Sequence, residues 1–485
     1  PYAKSHPRNL AAIASLFGMS PPDVTCCRVL EIGCAAGGNL LPMAAGFPAA
    51  RFHGIDASQR QIEAGQQVIA DLQFDNVTMQ RQDVVDFPHD AGEFDYIICH
   101  GVYSWVPSEV QERILTVCRE HLANNGVAYV SYNTYPGWYL RRGVREMMSY
   151  HAAGFDDVQT RIDQSRALLN FLISAVTSES GAYAMLLHEE LKVLQSCEDS
   201  YLFHEHLEHC NEPLFFNQFV ARAEQAKLRF LGEAHFGSMI AHDFSEDIQR
   251  TLHDIAPDIV RMEQYLDFLR NRKFRQTLLC HQDRDIDRTI DPQQLLPLWV
   301  ASPMVPAEQE PGDPPSSDPR FAHPCGKSVT VTTPWINTAL TQLSKIWPRE
   351  ITVSDLADIA WQQTTADQPC TLEECRSELS ATLLECYSSD LVDLFSCASG
   401  AVSNASDTPA TSQLTRYRAA RGSLVANERH ANVRLSDFDR LLVRHVTGDI
   451  EVARMTDQML AKVSRNDASI EGRSDPTAAD VSAAV

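Results

Sequence analysis

Eleven residues near the start, Val29-Leu-Glu31-Ile-Gly33-Cys34-Ala35-Ala-Gly37-Gly38-Asn39, limit the fold more than any other part of the 485-residue chain. An apolar run ends in a glycine-rich turn that opens a helical pattern, which is how a strand feeds a helix in a βαβ unit. The same rhythm continues to about residue 150. Arg28–Ile32, Arg51–Ile55, Val77–Arg81, Phe94–Cys99 and Gly126–Tyr132 read as strands. Between them, Asn39–Ala45, Ser58–Asp71 and Ser108–Leu122 carry helical spacing, with Ser58 placed as an N-cap.

The turn also limits the ligand. Asp56 closes the second strand 23 positions after Gly33, where a carboxylate accepts from the two hydroxyls of an adenosine ribose. Gly33-x-Ala35-x-x-Gly38 is a degenerate match to the turn that cradles a dinucleotide pyrophosphate. Glu31 argues against that ligand, because a carboxylate two residues before the first glycine repels phosphate. It favours a cationic ligand, such as the ammonium and sulfonium of S-adenosylmethionine. Asp83, after the third strand, suits the amine and ring nitrogen of adenine.

The acidic balance points the same way. The 41 Lys and Arg against 64 Asp and Glu leave a net charge of −23, unfit for neutralising nucleic-acid phosphates. No run of about 18 apolar residues predicts a membrane span. The 13 cysteines are odd in number, scattered and without CxxC, so they read as reduced thiols in a cytoplasmic protein. Pro1, in place of a Met, reads as the start of a fragment or trimmed chain, and Pro1–Arg8 lacks the regions of a secretory signal.

The chain divides, on this reading, into five parts. Residues 1–155 are the α/β unit. Residues 156–300 are mostly helical, with Phe219, Ala223, Ala226 and Phe230 at helical spacing. Residues 301–328 form a linker, because seven prolines within Ser302–Pro324 oppose both helix and sheet. Residues 329–460 hold three short helical patterns in a row, Thr338–Leu343, Val353–Ala360 and Leu372–Leu384, in the order of a winged helix. Ser396–Ser412 reads as a loop, and 461–485 as a disordered tail.

Three strings narrow the reading: Tyr2-Ala-Lys-Ser5-His6-Pro7, His100-Gly-Val-Tyr103-Ser-Trp105-Val and Ser131-Tyr132-Asn133-Thr-Tyr135-Pro136-Gly137-Trp138. With the glycine turn, they make residues 1–150 resemble a class I S-adenosylmethionine-dependent methyltransferase. The segment from Tyr201 through Phe216 to Ala234 resembles the start of a methyltransferase regulatory domain, about 201–290. The chain is thus similar to bacterial lysine methyltransferases that act on outer-membrane proteins. The resemblance implies a Rossmann-like, mostly parallel sheet, then a helical regulatory domain and a small winged-helix-like domain. Ala35 stands where many such enzymes carry a middle glycine. Glu31, Gly33, Cys34, Ala35, Gly37, Asn39, Asp56, Ala57, Asp83, Val84 and His100 are the expected cofactor contacts.

Ligands of open α/β sheets lie beyond the carboxyl ends of the strands, so the methyl acceptor belongs near the loops after the fourth and fifth strands. Both loops are aromatic. Tyr103, Trp105, Tyr132, Tyr135 and Trp138 are the candidate catalytic residues, able to hold a lysine stem and ammonium by apolar and cation–π contact. Desolvation lowers a lysine pKa, which releases the amine lone pair without a dedicated base. No Asn-Pro-Pro-Tyr string follows the fourth strand, which disfavours a nucleic-acid base as acceptor. The expectation is methyl transfer to lysine in a protein partner, with accessory units that position substrate or mediate a homodimer. The alternatives are a small-molecule O- or N-methyltransferase and a non-catalytic cofactor-binding module.

Other signals are weaker. His204-Glu205-His206-Leu-Glu208-His209 invites a metal reading, but His204 and His206 point to opposite sides of a helix and no HExxH occurs. The expectation is polar structural contacts and no metal. Leu372–Leu384 is acidic, unlike a DNA-reading helix, and Arg416–Arg421 reads as a solvated cluster.

Overall fold

The computed structural model describes residues 1–176, 181–307, 318–364 and 371–463. Its centre is a seven-stranded sheet: β1 (Arg28–Ile32), β2 (Arg51–Asp56), β3 (Val77–Arg81), β4 (Phe94–Cys99), β5 (Leu122–Asn133), β6 (Leu228–Glu233) and β7 (Phe274–His281). The order is β3-β2-β1-β4-β5-β7-β6, with β7 antiparallel between β5 and β6 and the other pairs parallel. Strand β1 sits mid-sheet and buries four of its five residues, as expected of a strand covered on both faces. The chain runs from β1 to β2 on one side and returns to β4 on the other. In open α/β sheets ligands lie at such a reversal, which here falls at the carboxyl end of β1, above the glycine turn.

Five helices flank this region: α1 (Pro7–Leu16), α2 (Leu40–Gly46), α3 (Gln59–Leu72), α4 (Ser108–His121) and α5 (Gly137–Ala152). Ser58 caps α3 by accepting from Gln61 N. Helix α1 buries nine of its ten residues, because one face meets the sheet and another the C-terminal half.

Three readings need correction. The sheet crosses the boundary drawn at residue 155, since β6 and β7 come from the segment expected to be mostly helical. The helical spacing of Phe219, Ala223, Ala226 and Phe230 breaks at the end of the helix Phe216–Gln225, and Phe230 lies inside β6. Residues 301–328 are also not a bare linker where they are described. Val305–Pro306, Arg320–Ala322 and Ser328–Thr330 form a small antiparallel sheet, and Met304 and Phe321 enter the main core. Pro306 is tolerated there because it lies on an edge strand, where its missing N–H is not needed. Residues 308–317 of that segment and 464–485 of the expected tail lie outside the described residues.

The helices Pro334–Ile346, Val353–Thr364 and Leu372–Ser388 stand where the three helical patterns predict them. They pack with a three-stranded sheet of Trp299–Ala301, Ile351–Thr352 and Asp393–Phe395. A second small unit follows: the helix Gln413–Arg421, the hairpin Leu424–Ala426 with Asn432–Arg434, and the helices Asp437–Val443 and Val452–Val463. Among the described residues, no helix is long and apolar enough to cross a membrane.

Candidate active site

The site is built from the end of β1 outward. Glu31 is 3% exposed, yet only one of its oxygens is used: Oε1 accepts from Asn39 Nδ2 at 2.8 Å. Oε2 is buried without a partner. Burial pushes the carboxyl up to about 7, against the opposing pull of the Asn39 hydrogen bond. A buried half-paired carboxylate of this kind is satisfied by a cation.

The loop after Glu31 is shaped by left-handed backbone. Gly33 sits at φ +76°, where a Cβ would lie 2.3 Å from Val102 Cγ2, so only glycine fits. Its N–H and that of Cys34 both donate to Ile55 O, at 2.8 and 3.0 Å, which ties the loop to the end of β2. Ala35 also takes positive φ, +47°, and its N–H donates to Asp56 Oδ2 at 2.9 Å. Ala in place of glycine therefore carries a conformational cost of order 1 kcal/mol, independent of its small size. Asp56 spends its other oxygen on Ser58 N at 2.8 Å. It braces both the loop and the start of α3, and its remaining lone pairs are open to ribose hydroxyls.

The other expected cofactor residues gather on the same edge. Gln82 N donates to Asp56 O at 2.9 Å, which sets exposed Asp83 and buried Val84 beside exposed Ala57. Asp83 Oδ1 caps the next turn through Val85 N. Gly37 lies at φ +74° against Leu41 and Met79. His100 follows β4, next to Gly33 because Ile32 pairs with Cys99. Its Nδ1 lies 2.9 Å from the Tyr129 hydroxyl and 3.2 Å from Ser131 Oγ, and burial lowers its pKa to about 4.

The aromatic candidates divide. Tyr103 and Tyr132 are 0% and 1% exposed and surround Phe219 inside the core. The Tyr132 hydroxyl meets Thr277 Oγ1 at 3.2 Å. These two are a correction to the acceptor reading: core packing holds them behind the site rather than at its mouth. Half-buried Trp105 stands edge-on to Trp138 and 4.4 Å from His204, ring centre to ring centre. Trp138 is buried beneath Arg141, and its Nε1 has no partner, like the buried Asn133 Nδ2 at the end of β5. Tyr135 stacks on exposed Tyr139 and lies apart, toward Phe215.

His206 Nε2 donates to the Glu190 carboxylate at 2.7 Å, and Arg141 bridges Glu190 and Glu205. The histidine-rich segment is thus part of an ion-pair network, and among the described residues no cluster of three His, Cys, Asp or Glu could hold a metal.

Two parts of the site escape sequence reasoning. Tyr2 stacks on His100 at 4.3 Å and its hydroxyl meets Gln276, while its N–H donates to Asn39 Oδ1 at 2.9 Å. The Tyr2–Pro7 string signals this region without giving it a place. The second part is His430, whose Nε2 donates to the same Asn39 Oδ1 at 2.8 Å from 391 positions away. No local pattern marks it. Arg418 likewise reaches Gly37 O at 3.4 Å, so the cluster Arg416–Arg421 is not simply solvated.

Comparison with known proteins agrees with this geometry. Residues 29–126 match the family model of a methyltransferase domain, and 198–281 that of a predicted methyltransferase regulatory domain. Residues 407–484 match a PKMT C-terminal winged helix domain, which lies beyond the three helices that the sequence reading assigned to it. Two relatives from Rickettsia prowazekii are named only as uncharacterised proteins. RP789 is 42% identical over 60% of this chain and 52% of its own length, so the chain spans about half of that relative. RP028 is 40% identical over 47% of this chain and 92% of its own length. The solved structure of PKMT2 from Rickettsia typhi in complex with AdoHcy is 29% identical, covers 100% of this chain and 96% of its own, and has a TM-score of 0.88. The glycine turn, the strand order and these matches agree: the chain belongs to the class I S-adenosylmethionine-dependent methyltransferases that carry a methyltransferase regulatory domain.

Proposed function

We propose that this protein transfers the methyl group of S-adenosylmethionine to the side-chain amine of lysine in a protein substrate. The observation that carries the cofactor reading is the unpartnered, buried Oε2 of Glu31 beside a loop in which Gly33 and Gly37 leave no room for side chains. A ligand ammonium fits that oxygen. When bound, the cofactor supplies an activated methyl on a positively charged sulfur. The protein's own share is placement, which an effective-molarity effect turns into rate. Glu31, oriented by Asn39, holds the amino-acid end, and Asp56 and Asp83 the adenosine end. Half-buried Trp105, beside Trp138, offers an apolar wall for a lysine stem. Desolvation there lowers the lysine pKa and frees its lone pair.

The protein acceptor is supported by the end-to-end similarity to PKMT2. A reducing, cytoplasmic setting is supported by the scattered cysteines, none of them disulfide-bonded among the described residues, and a bacterial one by the Rickettsia relatives. Incubation of bacterial extracts with enzyme and methyl-labelled cofactor, followed by intact-mass and peptide mass analysis of surface proteins, tests the acceptor. Methyl groups mapped to lysines are expected. Label found only in small metabolites would overturn the lysine assignment and leave the small-molecule alternative.

A further inference from the structure

The turn Asn427–Ala431 joins the two strands of the C-terminal hairpin. Asn427 Oδ1 accepts from Arg429 N at 3.0 Å and Ala431 N at 2.9 Å, and His430 is held at φ +60°. Left-handed backbone at a non-glycine residue persists only where its surroundings over-determine it. Arg429 supplies that support. It donates to Asp393 Oδ2 at 2.7 Å and to Glu350 Oε1 at 3.3 Å, and lies 4.5 Å over the Trp347 ring. Glu350 is 2% exposed and also accepts from Arg8 of α1. The turn is therefore pinned to both halves of the molecule, and it presents His430 to Asn39.

Asn39 has two unlike ends. Oδ1 accepts from His430 Nε2 and from Tyr2 N, and Nδ2 donates to the Glu31 carboxylate and to Ser5 Oγ, so His430 is one of the two donors that fix which way the amide faces. The reverse orientation would set two oxygens against each other. The same unit touches the cofactor loop elsewhere: Arg418 donates to Gly37 O, and Tyr417 donates to Asp71 Oδ2 at 2.6 Å, near the end of α3.

We propose that the unit formed by the helix Gln413–Arg421 and the hairpin Leu424–Arg434 completes the cofactor site, with His430 as a positioning residue that orients Asn39 and, through it, Glu31. Cofactor affinity then depends on the docked C-terminal unit. By linkage, cofactor in turn holds that unit in place. The inference rests on the cofactor reading above.

The test uses the full chain and equilibrium binding of S-adenosylhomocysteine. H430A is expected to bind about tenfold more weakly, the loss of a little over one kcal/mol-scale hydrogen bond. H430Q, which keeps an N–H at similar reach, is expected to return to within about threefold of wild type. Amide hydrogen exchange gives the reciprocal readout: ligand should slow exchange across residues 424–434 in wild type and not in H430A. If H430A does not fold, R418A carries the same measurement through the Gly37 contact. A variant with a lowered Tm but wild-type affinity would mean that His430 is only structural, and would overturn the proposal. Wild type that fails to bind the ligand overturns the cofactor reading as well. Wild type that binds, with variants that bind equally, overturns this inference alone.

Discussion

Two buried carboxylate sites lie at the carboxyl edge of the same sheet, and they are solved in opposite ways. Around Arg275, which is fully buried, stand Glu233, Glu263 and Asp267, all 2% exposed or less. The guanidinium donates to all three, at 2.7 to 3.0 Å, and Arg272 adds a second cation against Asp267 at 2.9 Å. The Phe216 ring lies 3.9 Å beneath. Glu31 is as deeply buried, is hydrogen-bonded only by the Asn39 amide, and feels a cation only across space, from the Pro1 ammonium rather than from a paired side chain. The first site is closed by the chain itself. The second leaves an oxygen for something the chain does not contain, which is why burial alone does not distinguish a structural acid from a binding one.

Breaking the closed site should have the largest effect. R275M strands three carboxylates in the core, and removal of one partner of a buried pair costs about 3–5 kcal/mol. Denaturant unfolding, or loss of soluble protein, would register it. A cost below about 1 kcal/mol would mean that these acids are not charged in the folded state.

E31Q is the matched change at the open site. Cofactor binding should weaken by about 2 kcal/mol, the worth of a hydrogen bond to a charged group, while Tm stays level or rises. Titration with S-adenosylhomocysteine beside a melting curve separates the two quantities, and parallel losses would make Glu31 structural.

Glu31 should also give the sharper pH signature. Its carboxyl is held up at about 7 by burial, against an ordinary 4.5, so the folded state keeps a proton that the unfolded chain has released. The folded state binds more protons in that window, hence its contribution to stability falls as pH rises from about 4.5 to about 7 and is level above. Affinity for the ligand ammonium should move the other way, rising through about pH 7 as the carboxylate forms. Both slopes should vanish in E31Q.

The smallest effect is expected from A35G. Relief of the left-handed strain and the extra entropy of an unfolded glycine oppose each other, so stability should change by less than about 1 kcal/mol. A large gain would show that the strain at Ala35 is greater than its φ of +47° suggests.

Much of this site is legible from local pattern. The strand Arg28–Ile32, the turn, the acid at Asp56 and the cap at Ser58 are contiguous, and each follows from residue type and spacing. The aromatic loops are legible as loops, but not which rings face outward. Tyr103 and Tyr132 are core residues because Phe219, more than 80 positions later, packs between them. Phe230 continues a helical spacing into a strand, because pairing with β7 overrides a weak periodic signal.

The sequence by itself determined the strand–turn–helix unit, its glycines and the carboxylate that selects a cationic ligand. These depend on steric limits and charge within a few dozen residues. Only the tertiary structure decided that β6 and β7 complete the sheet, that Arg275 rather than a ligand satisfies one set of buried acids, and that His430 reaches Asn39. Those contacts join segments tens to hundreds of positions apart. Their energy comes from desolvated charge and packing that exist only once the segments meet.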